Sequence, residues 1–330
     1  MSGEVSSKKT ASAGKPGVGK AGIPKWLTVR VPASTSNLGP GFDTLGLALQ
    51  LYNTLTFELL DTHDPRIPLV RLQGEIAQGL PPDDSNLVYR VLSALWKDSP
   101  DLLNRIRITI DSQIPLSGGL GSSASATLGA VWASCVLTGK EIDYDHLLSH
   151  ASSFEGHPDN VAPSLYGGFV VCARSPRLDR VLVQKLDWPD EWCTIIVAPH
   201  YSVPTQEARA LLPASVPLKD AVSNIQNVSL LISAIVNKDE EALKCALEDR
   251  IHEPYRQKLI PELGELKAKL TQLPALGCVL SGAGSSILVL VSRKNKAPVL
   301  AFLKDWAAHR TIAPTVLDLK VARHGIEQLD

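Results

Sequence analysis

The stretch Pro115-Leu-Ser-Gly-Gly-Leu-Gly-Ser-Ser-Ala-Ser-Ala126 decides how this chain is read. Three glycines (Gly118, Gly119 and Gly121) and two consecutive serines (Ser122 and Ser123) lead into a small-residue segment that reaches Ala133. Upstream, Arg105-Ile-Arg-Ile-Thr-Ile-Asp111 alternates with the period of a strand. Strand, tight turn and helix N-terminus in that order gather free backbone N–H groups and the positive end of a helix at one point, which makes an anion site. Glycine is needed because a Cβ would oppose both a left-handed backbone and the close approach of a phosphate. The serine hydroxyls add donors or a metal ligand. The plainer alternative is a Gly/Ser turn with a serine capping the helix.

A second glycine-rich stretch, Gly14-Lys-Pro-Gly-Val-Gly-Lys20, fits G-x-x-x-x-G-K. It is set aside, because Ala21 stands where a serine or threonine is required and no strand precedes it.

The 330 residues are 44% hydrophobic and 20% charged, which suits a globular protein with a sizeable core. A net charge of −1 gives no footprint for nucleic acid or an anionic membrane. No apolar run approaches the roughly 20 residues of a membrane span. The five cysteines (Cys135, Cys172, Cys193, Cys245 and Cys278) are scattered, with no C-x-x-C pair. They read as small core residues in a reducing, cytoplasmic compartment. Residues Met1 to about Gly22 are rich in Ser, Lys, Gly and Ala and read as a disordered tail without a secretory h-region.

Leu27 to Val31 alternates as a first strand, and Ala33 to Asp43 reads as loop from its density of turn formers. Leu45–Leu51 and Asn53–Leu60 read as two further strands. Asn86 to Trp96 reads as a helix capped by Asp83, Asp84 or Ser85. Helices follow to Leu137 and near Tyr144–Phe154. Strands are expected at 167–172, 194–198, 278–280, 287–291 and 315–319, and helices at 221–235, 240–249, 262–272 and 297–309. The two halves divide near Trp188-Pro-Asp-Glu-Trp192.

Four constellations fit one site. In Pro32-Ala-Ser-Thr-Ser-Asn-Leu-Gly-Pro-Gly-Phe-Asp43, Asp43 can hold an ammonium group and Asn37 a polar substituent. In Phe154-Glu-Gly-His-Pro-Asp-Asn-Val-Ala-Pro163, four polar side chains crowd into six residues. Magnesium with a nucleotide wants one or two carboxylates plus phosphate oxygens, so Glu155 is the expected ligand, with the Ser123 hydroxyl beside it. Arg209 and Arg256, in Glu253-Pro-Tyr-Arg256, could clamp a carboxylate. Leu280-Ser-Gly-Ala-Gly-Ser-Ser286 reads either as a second close backbone approach to ligand or as a tight hairpin.

Taken in order, from about Val29 to Val291, these segments resemble the homoserine kinases of the GHMP superfamily of small-molecule kinases, whose phosphate loop reads P-x-x-x-G-L-G-S-S-A. One motif departs from the family pattern: where Gly-Pro-Thr is usual, Gly284 is followed by Ser285-Ser286. The resemblance implies an α+β, two-lobed GHMP kinase fold, with a ribosomal S5 domain 2-like N-terminal lobe containing a left-handed crossover and a ferredoxin-like C-terminal lobe. It divides the chain into a 1–22 tail, a 23–190 domain with the phosphate loop and a 191–330 domain. It implies ATP and magnesium. The nucleotide would touch Asn86, Pro115, Ser117, Gly118, Gly119, Leu120, Gly121, Ser122, Ser123 and Ala124, and the metal Ser123 and Glu155. The substrate would touch Asn37, Asp43, His157, Asn160, Arg209, Arg256 and Gly282, with His157, Asp159 and Asn160 at the chemistry and no base assigned. The implied reaction makes O-phospho-L-homoserine from L-homoserine on the way to threonine, in the cytoplasm, with no nucleic-acid or membrane partner and with room for a homodimer. A sibling kinase for mevalonate or a similar alcohol would share the loop but would not need Asp43 with two arginines. A ligand sensor without turnover would be free to lose the serines or Glu155, and both are intact. A nucleic-acid binder on an S5-like lobe is disfavoured by the near-neutral charge.

Deleting Met1 to Gly22 is predicted to leave melting temperature and turnover unchanged, since the segment is too polar to bury apolar surface. A fall of several degrees on truncation would show that it docks on the body.

Overall fold

A computed structural model of the chain describes residues 24–62, 69–116 and 118–329. The expected tail and Ser117 lie outside them. In chain order the strands are β1 (Trp26–Ser36), β2 (Leu45–Leu59), β3 (Val70–Gln73), β4 (Ile106–Ser112), β5 (Phe169–Ser175), β6 (Arg180–Leu186), β7 (Trp192–Ala198), β8 (Ala275–Leu280), β9 (Ile287–Ser292), β10 (Thr315–Leu319) and β11 (Glu327–Gln328). The helices are α1 (Gly74–Ala77), α2 (Leu87–Leu95), α3 (Pro100–Arg105), α4 (Ser122–Leu137), α5 (Tyr144–Glu155), α6 (Val161–Tyr166), α7 (Thr205–Ala210), α8 (Leu218–Asn237), α9 (Glu240–Ala246), α10 (Glu253–Arg256), α11 (Pro261–Leu270) and α12 (Lys296–Ala308).

The first sheet runs β11-β1-β2-β4-β3, and β5 and β6 extend it from β2. The two strands expected at 45–60 are one. Register jumps from Pro32 opposite Tyr52 to Ala33 opposite Leu49, so Gln50 and Leu51 form a bulge that breaks the alternation. Beyond the bulge β2 pairs with β4 through 53–59, and before it with β5 through 45–47. The expected loop from Ala33 is corrected in the same way, because β1 continues to Ser36 with every residue from Ala33 buried. Ser34, Thr35 and Ser36 read as turn formers because they are polar, yet strand pairing serves their backbones and interior partners serve their hydroxyls. Asn86, not Asp83, Asp84 or Ser85, caps α2 by accepting from the Val88 N–H. The short helix α3 and the strand β6 were not expected.

The second sheet has the order β10-β7-β9-β8, all antiparallel. Helices α7 to α11 connect β7 to β8, β9 follows β8 directly, and α12 leads to β10. That βαββαβ order is the ferredoxin-like arrangement. The run Ile287-Leu-Val-Leu-Val291 is apolar throughout because both faces of β9 are covered. Leu288 and Leu290 face a core that also holds Leu45, Leu47 and Phe169 of the first sheet, while Ile287, Val289 and Val291 face α11 and α12. The two lobes therefore share one core, and Trp188 and Trp192, where the halves divide, are buried in it. After β10 the chain returns to the first lobe: Ala322 exchanges backbone bonds with Ala48 and Gly168, and β11 pairs with β1. A third core, between the first sheet and α2, α4 and α5, surrounds α4, which is buried along most of its length. Of the cysteines, Cys135, Cys172 and Cys278 are interior as expected, Cys193 is half-buried, and Cys245 is exposed on α9.

Glu253 fixes the second sheet to the helical segment beside the site. Its buried carboxylate accepts from the Leu280 N–H at 2.6 Å and pairs with Lys267. Burial pushes the Lys267 ammonium down, but the Glu253 charge and hydrogen bond hold it above its ordinary value. Glu253→Ala is predicted to cost about 3 kcal/mol in urea unfolding, because it strands a donor and a charge. A loss below about 1 kcal/mol would mean that water replaces the carboxylate without penalty.

Candidate active site

The phosphate loop leaves β4 and enters α4 through Gly121, whose φ of 69° is left-handed. No side chain caps α4, so the serine-cap alternative is not adopted and its first N–H groups stay open. They line a cleft of about 520 Å³ together with Gly118, Gly119, Glu155, His157 and Asn160, and with Val203, Thr205 and Gly284 of the second lobe. The glycines are required by protein more than by ligand. A Cβ on Gly119 would collide with the Ser281 carbonyl oxygen and press on Gly284, and one on Gly121 would collide with the Ser34 hydroxyl. At Gly118 there is room for a Cβ.

The loop is laced to its surroundings by its own carbonyls. Gly118 O accepts from Ser286 N at 3.0 Å and Leu120 O from Ser34 N at 3.1 Å. Gly119 O accepts from Ser281 Oγ at 2.7 Å. The hairpin turn between β8 and β9 is thus both things the sequence allowed: a tight hairpin, and a backbone pressed against the site. With the carbonyls turned into protein, the N–H groups are left for an anion.

Ser123 lies in the first turn of α4 and Glu155 at the end of α5. Ser123 Oγ donates to Glu155 Oε1 at 2.7 Å, and Thr127 Oγ1 donates to the same oxygen at 2.9 Å. A carboxylate among hydroxyls at the mouth of a phosphate cradle is the hard-oxygen donor set that suits magnesium.

On the other side of Asn160 the charges concentrate. Arg209 donates from Nη1 and Nη2 to the two oxygens of Asp43, at 3.0 and 2.8 Å. Asp43 is set by the left-handed backbone at Asn37, Leu38 and Asp43 itself, and by its N–H, which donates to Asn37 Oδ1. Asn37 Nδ2 donates to Gly282 O at 2.9 Å, and Arg256 Nη1 donates to the same oxygen at 3.2 Å. Both guanidinium carbons lie over the Phe42 ring, 5.3 Å for Arg209 and 5.2 Å for Arg256. Arg256 is buried and its Nε has no hydrogen-bond partner among the described residues. Burial, and then the Arg209 charge, pull its pKa below the usual guanidinium value. His252 Nε2 faces Gly39 O at 2.9 Å, so it carries the proton, and Nδ1 accepts from Arg256 Nη1.

His157 Nδ1 meets Asp159 Oδ1 at 2.6 Å, and one ligand atom from each of Asp43, His157 and Asp159 fits within 4.8 Å. Burial pulls the His157 imidazole down, but the hydrogen bond and charge of Asp159 outweigh it and the pKa ends above the ordinary value. Beneath these carboxylates Cys172 is pushed up to about 12, chiefly by burial, and is an inert thiol. Asn160 uses its amide within the protein: Oδ1 accepts from Ser34 Oγ and Nδ2 donates to Ser36 Oγ.

The expected site residues that the structure describes converge, with three adjustments. Leu120 points into the shared core and meets the loop only through its backbone. Asn86 lines the cleft, but its amide caps α2 and donates to Pro81 O. Pro115 is half-exposed at the base of the loop and does not line the cleft. Phe42, Thr127 and His252 went unrecognised. Phe42 sits inside a quoted motif and Thr127 falls one helical turn after Ser123, which are the signals that could have found them.

Fold and site together define the class, a small-molecule kinase. The family model for the GHMP kinases N terminal domain matches residues 86–168, and that for GHMP kinases C terminal matches 231–308. A homoserine kinase of Microchaete diplosiphon is 35% identical over 304 residues, covering 92% of this chain and 97% of that protein. One from Aquifex aeolicus is 37% identical over 301 residues, covering 91% and 99%. The crystal structure of a homoserine kinase from Cytophaga hutchinsonii superposes with a TM-score of 0.80 at 30% identity, covering 95% of this chain and all of that one. The chain belongs to the GHMP kinases, in their homoserine kinase family.

The raised His157 pKa fixes the sign of one pH dependence. Stability from the protonated imidazole beside Asp159 is fully present below the unfolded value of about 6.5 and lost as pH rises through the higher folded value. The stability advantage of the native chain over His157→Gln, measured by urea unfolding, is therefore predicted to be largest near pH 6 and to shrink toward alkaline pH. An advantage that is flat or grows with pH would contradict the assigned charge.

Proposed function

We propose that this chain transfers the γ-phosphoryl group of ATP, with magnesium, to the side-chain hydroxyl of L-homoserine and releases O-phospho-L-homoserine. The observation that carries the substrate is the Asp43–Arg209–Arg256 pocket around Phe42, one carboxylate and two guanidinium groups beside the cleft. A free amino acid presents one cation and one anion, and this set answers both. A purely anionic alcohol that drew Arg209 onto itself would leave Asp43 unpaired, and a neutral one would engage neither charge, which weighs against a sibling kinase. Homoserine kinase relatives over nine-tenths of the chain support the same substrate.

The mechanism follows from what these side chains can do. Phosphoryl transfer has a loose transition state, so placing the two reactants and neutralising charge dominate over deprotonating the alcohol. The uncapped N-terminus of α4 meets the charge on the migrating group with oriented dipoles. Ser123 and Glu155 would hold the magnesium, which when bound supplies positive charge to the nucleotide phosphates. Asp159 is buried and engaged with His157, whose pKa the Asp159 hydrogen bond and charge raise above its ordinary value against the effect of burial. Asn160 is held by two serines of β1 and keeps the nucleotide side and the substrate side in register. No group has to act as a general base, and positioning carries the rate.

Two sets of variants test this reading. Ser123→Ala and Glu155→Gln are predicted to lower kcat by at least about 100-fold at saturating magnesium; near-normal rates would remove the metal assignment. For Arg256→Ala the KM for homoserine should rise roughly 30-fold or more, and for the half-exposed Arg209 the same change should give about tenfold. The KM for ATP should move less than about threefold in both. Because Arg256 also holds the Gly282 turn, its variant is compared at matched melting temperature. Turnover is measured with homoserine, serine, mevalonate and galactose. Preference for mevalonate or galactose, or unchanged homoserine constants in both arginine variants, would overturn the amino-acid assignment.

A further inference from the structure

Two large apolar side chains lie in the Asn37–Asp43 segment, and they have different fates. Leu38 is fully buried in the core shared by the lobes. Phe42 is half-buried and joins none of the three apolar cores. Its ring is surrounded by cations and an imidazole instead. The guanidinium carbons of Arg209 and Arg256 lie 5.3 and 5.2 Å from its centroid, and the His252 ring stacks on it at 5.1 Å with an interplanar angle of 25°. Two guanidinium groups this close repel one another, and after burial the Arg209 charge is what pulls the Arg256 pKa down. The negative face of an aromatic ring attracts each of them and so offsets the repulsion.

Arg256 is held in one orientation as well as in one place. Its Nη1 donates to His252 Nδ1 at 3.3 Å and to Gly282 O at 3.2 Å. His252 is in turn fixed by its Nε2 on Gly39 O and by its backbone N–H, which donates to Asp249 Oδ2 at 2.7 Å. The other edge of the guanidinium is unused. Nε is buried without a hydrogen-bond partner, and Nη2 makes no hydrogen bond among the described residues. Nε and Nη2 form the fork that takes the two oxygens of a carboxylate, and an orphaned buried donor is satisfied when such an anion arrives. We propose that Phe42 is a specificity-determining residue of the acceptor pocket. Its ring is the platform on which two guanidinium groups share the pocket, and it keeps the Nε–Nη2 edge of Arg256 for a ligand carboxylate. This role rests on the amino-acid reading of the pocket and adds the residue through which Arg256 discriminates. An apolar side chain without a π-face fills the same space but attracts neither cation.

Phe42→Leu and Phe42→Met remove the π-face, and Phe42→Tyr keeps it. Each folded variant is assayed with L-homoserine and ATP varied in turn, and with 3-amino-1-propanol, the same amino alcohol without the carboxylate. In the first two variants the KM for homoserine is expected to rise at least about tenfold, while kcat and the KM for ATP move less than about threefold. Preference for homoserine over 3-amino-1-propanol, read as the ratio of kcat/KM values, should fall at least about tenfold with it. Phe42→Tyr should stay within about threefold of the native chain. Added to Arg256→Ala, Phe42→Leu should change the homoserine constant by less than about threefold, because the ring acts through that arginine. Equal losses for the two acceptors would reduce Phe42 to packing of the loop and overturn the proposal. Unchanged homoserine constants in Phe42→Leu and Phe42→Met, with Arg256→Ala still defective, would overturn it and leave the amino-acid reading standing. Unchanged constants in Arg256→Ala would remove that reading and this role with it.

Discussion

The site depends on the contact of two glycine-rich turns from different lobes. Gly119 must pass under the Ser281 and Gly284 backbone, and no side chain fits between them. The bonds Ser286 N to Gly118 O and Ser281 Oγ to Gly119 O then fix the loop. Its carbonyls are thereby used up on the protein and its N–H groups left toward the cleft, which makes the contact between the lobes an anion cradle. The third turn at this junction, in the Asn37–Asp43 segment, is tied to the same Gly282 carbonyl by Asn37, and Arg256 joins it there. Nucleotide and acceptor pockets are in this way built on one backbone knot, and the shared core of Leu45, Leu47, Leu288 and Leu290 holds it from behind.

The proposed acceptor pocket holds a preorganised pair of opposite charges. Asp43 and Arg209 satisfy one another bidentately, and on the proposed reading an arriving ammonium and carboxylate would exchange those contacts for their own. Such an exchange would leave the number of paired charges unchanged, so affinity for the right ligand would be modest and a ligand that took only Arg209 would be rejected. Arg256 differs: it is buried, its pKa is pulled down by burial and by Arg209, and its Nε has no hydrogen-bond partner among the described residues. Bringing a carboxylate beside it relieves that strain, so most of the discrimination should rest there.

Much of this was legible in the sequence because the chemistry is clustered in short motifs. Ser123 with Glu155 and Asp43 with Arg209 could be named from residue type and setting, and the structure brings each pair into contact. What escaped is what only long-range packing decides. Ser34 to Ser36 look like a loop until a sheet pairs their backbone and Asn160 takes two of their hydroxyls. Phe42 and His252 look like ordinary core residues until two arginines are seen over the one and Arg256 bonded to the other. The bulge at Gln50 and Leu51 hid the continuity of β2, since alternation is lost where a strand bends. Asn86 lines the cleft, and its side chain also caps α2, a role that residue type alone does not reveal.

If the interlock of the two turns is what makes the cradle, Gly119→Ala should be the most damaging single methyl group in the molecule. The direct measurement is calorimetric titration of ATP with magnesium, and of homoserine, into the folded variant. The account predicts that ATP affinity falls at least about 100-fold, and that homoserine affinity falls with it because the Gly282 carbonyl moves on the same knot. Native ATP affinity in Gly119→Ala, with an unchanged melting temperature, would contradict it.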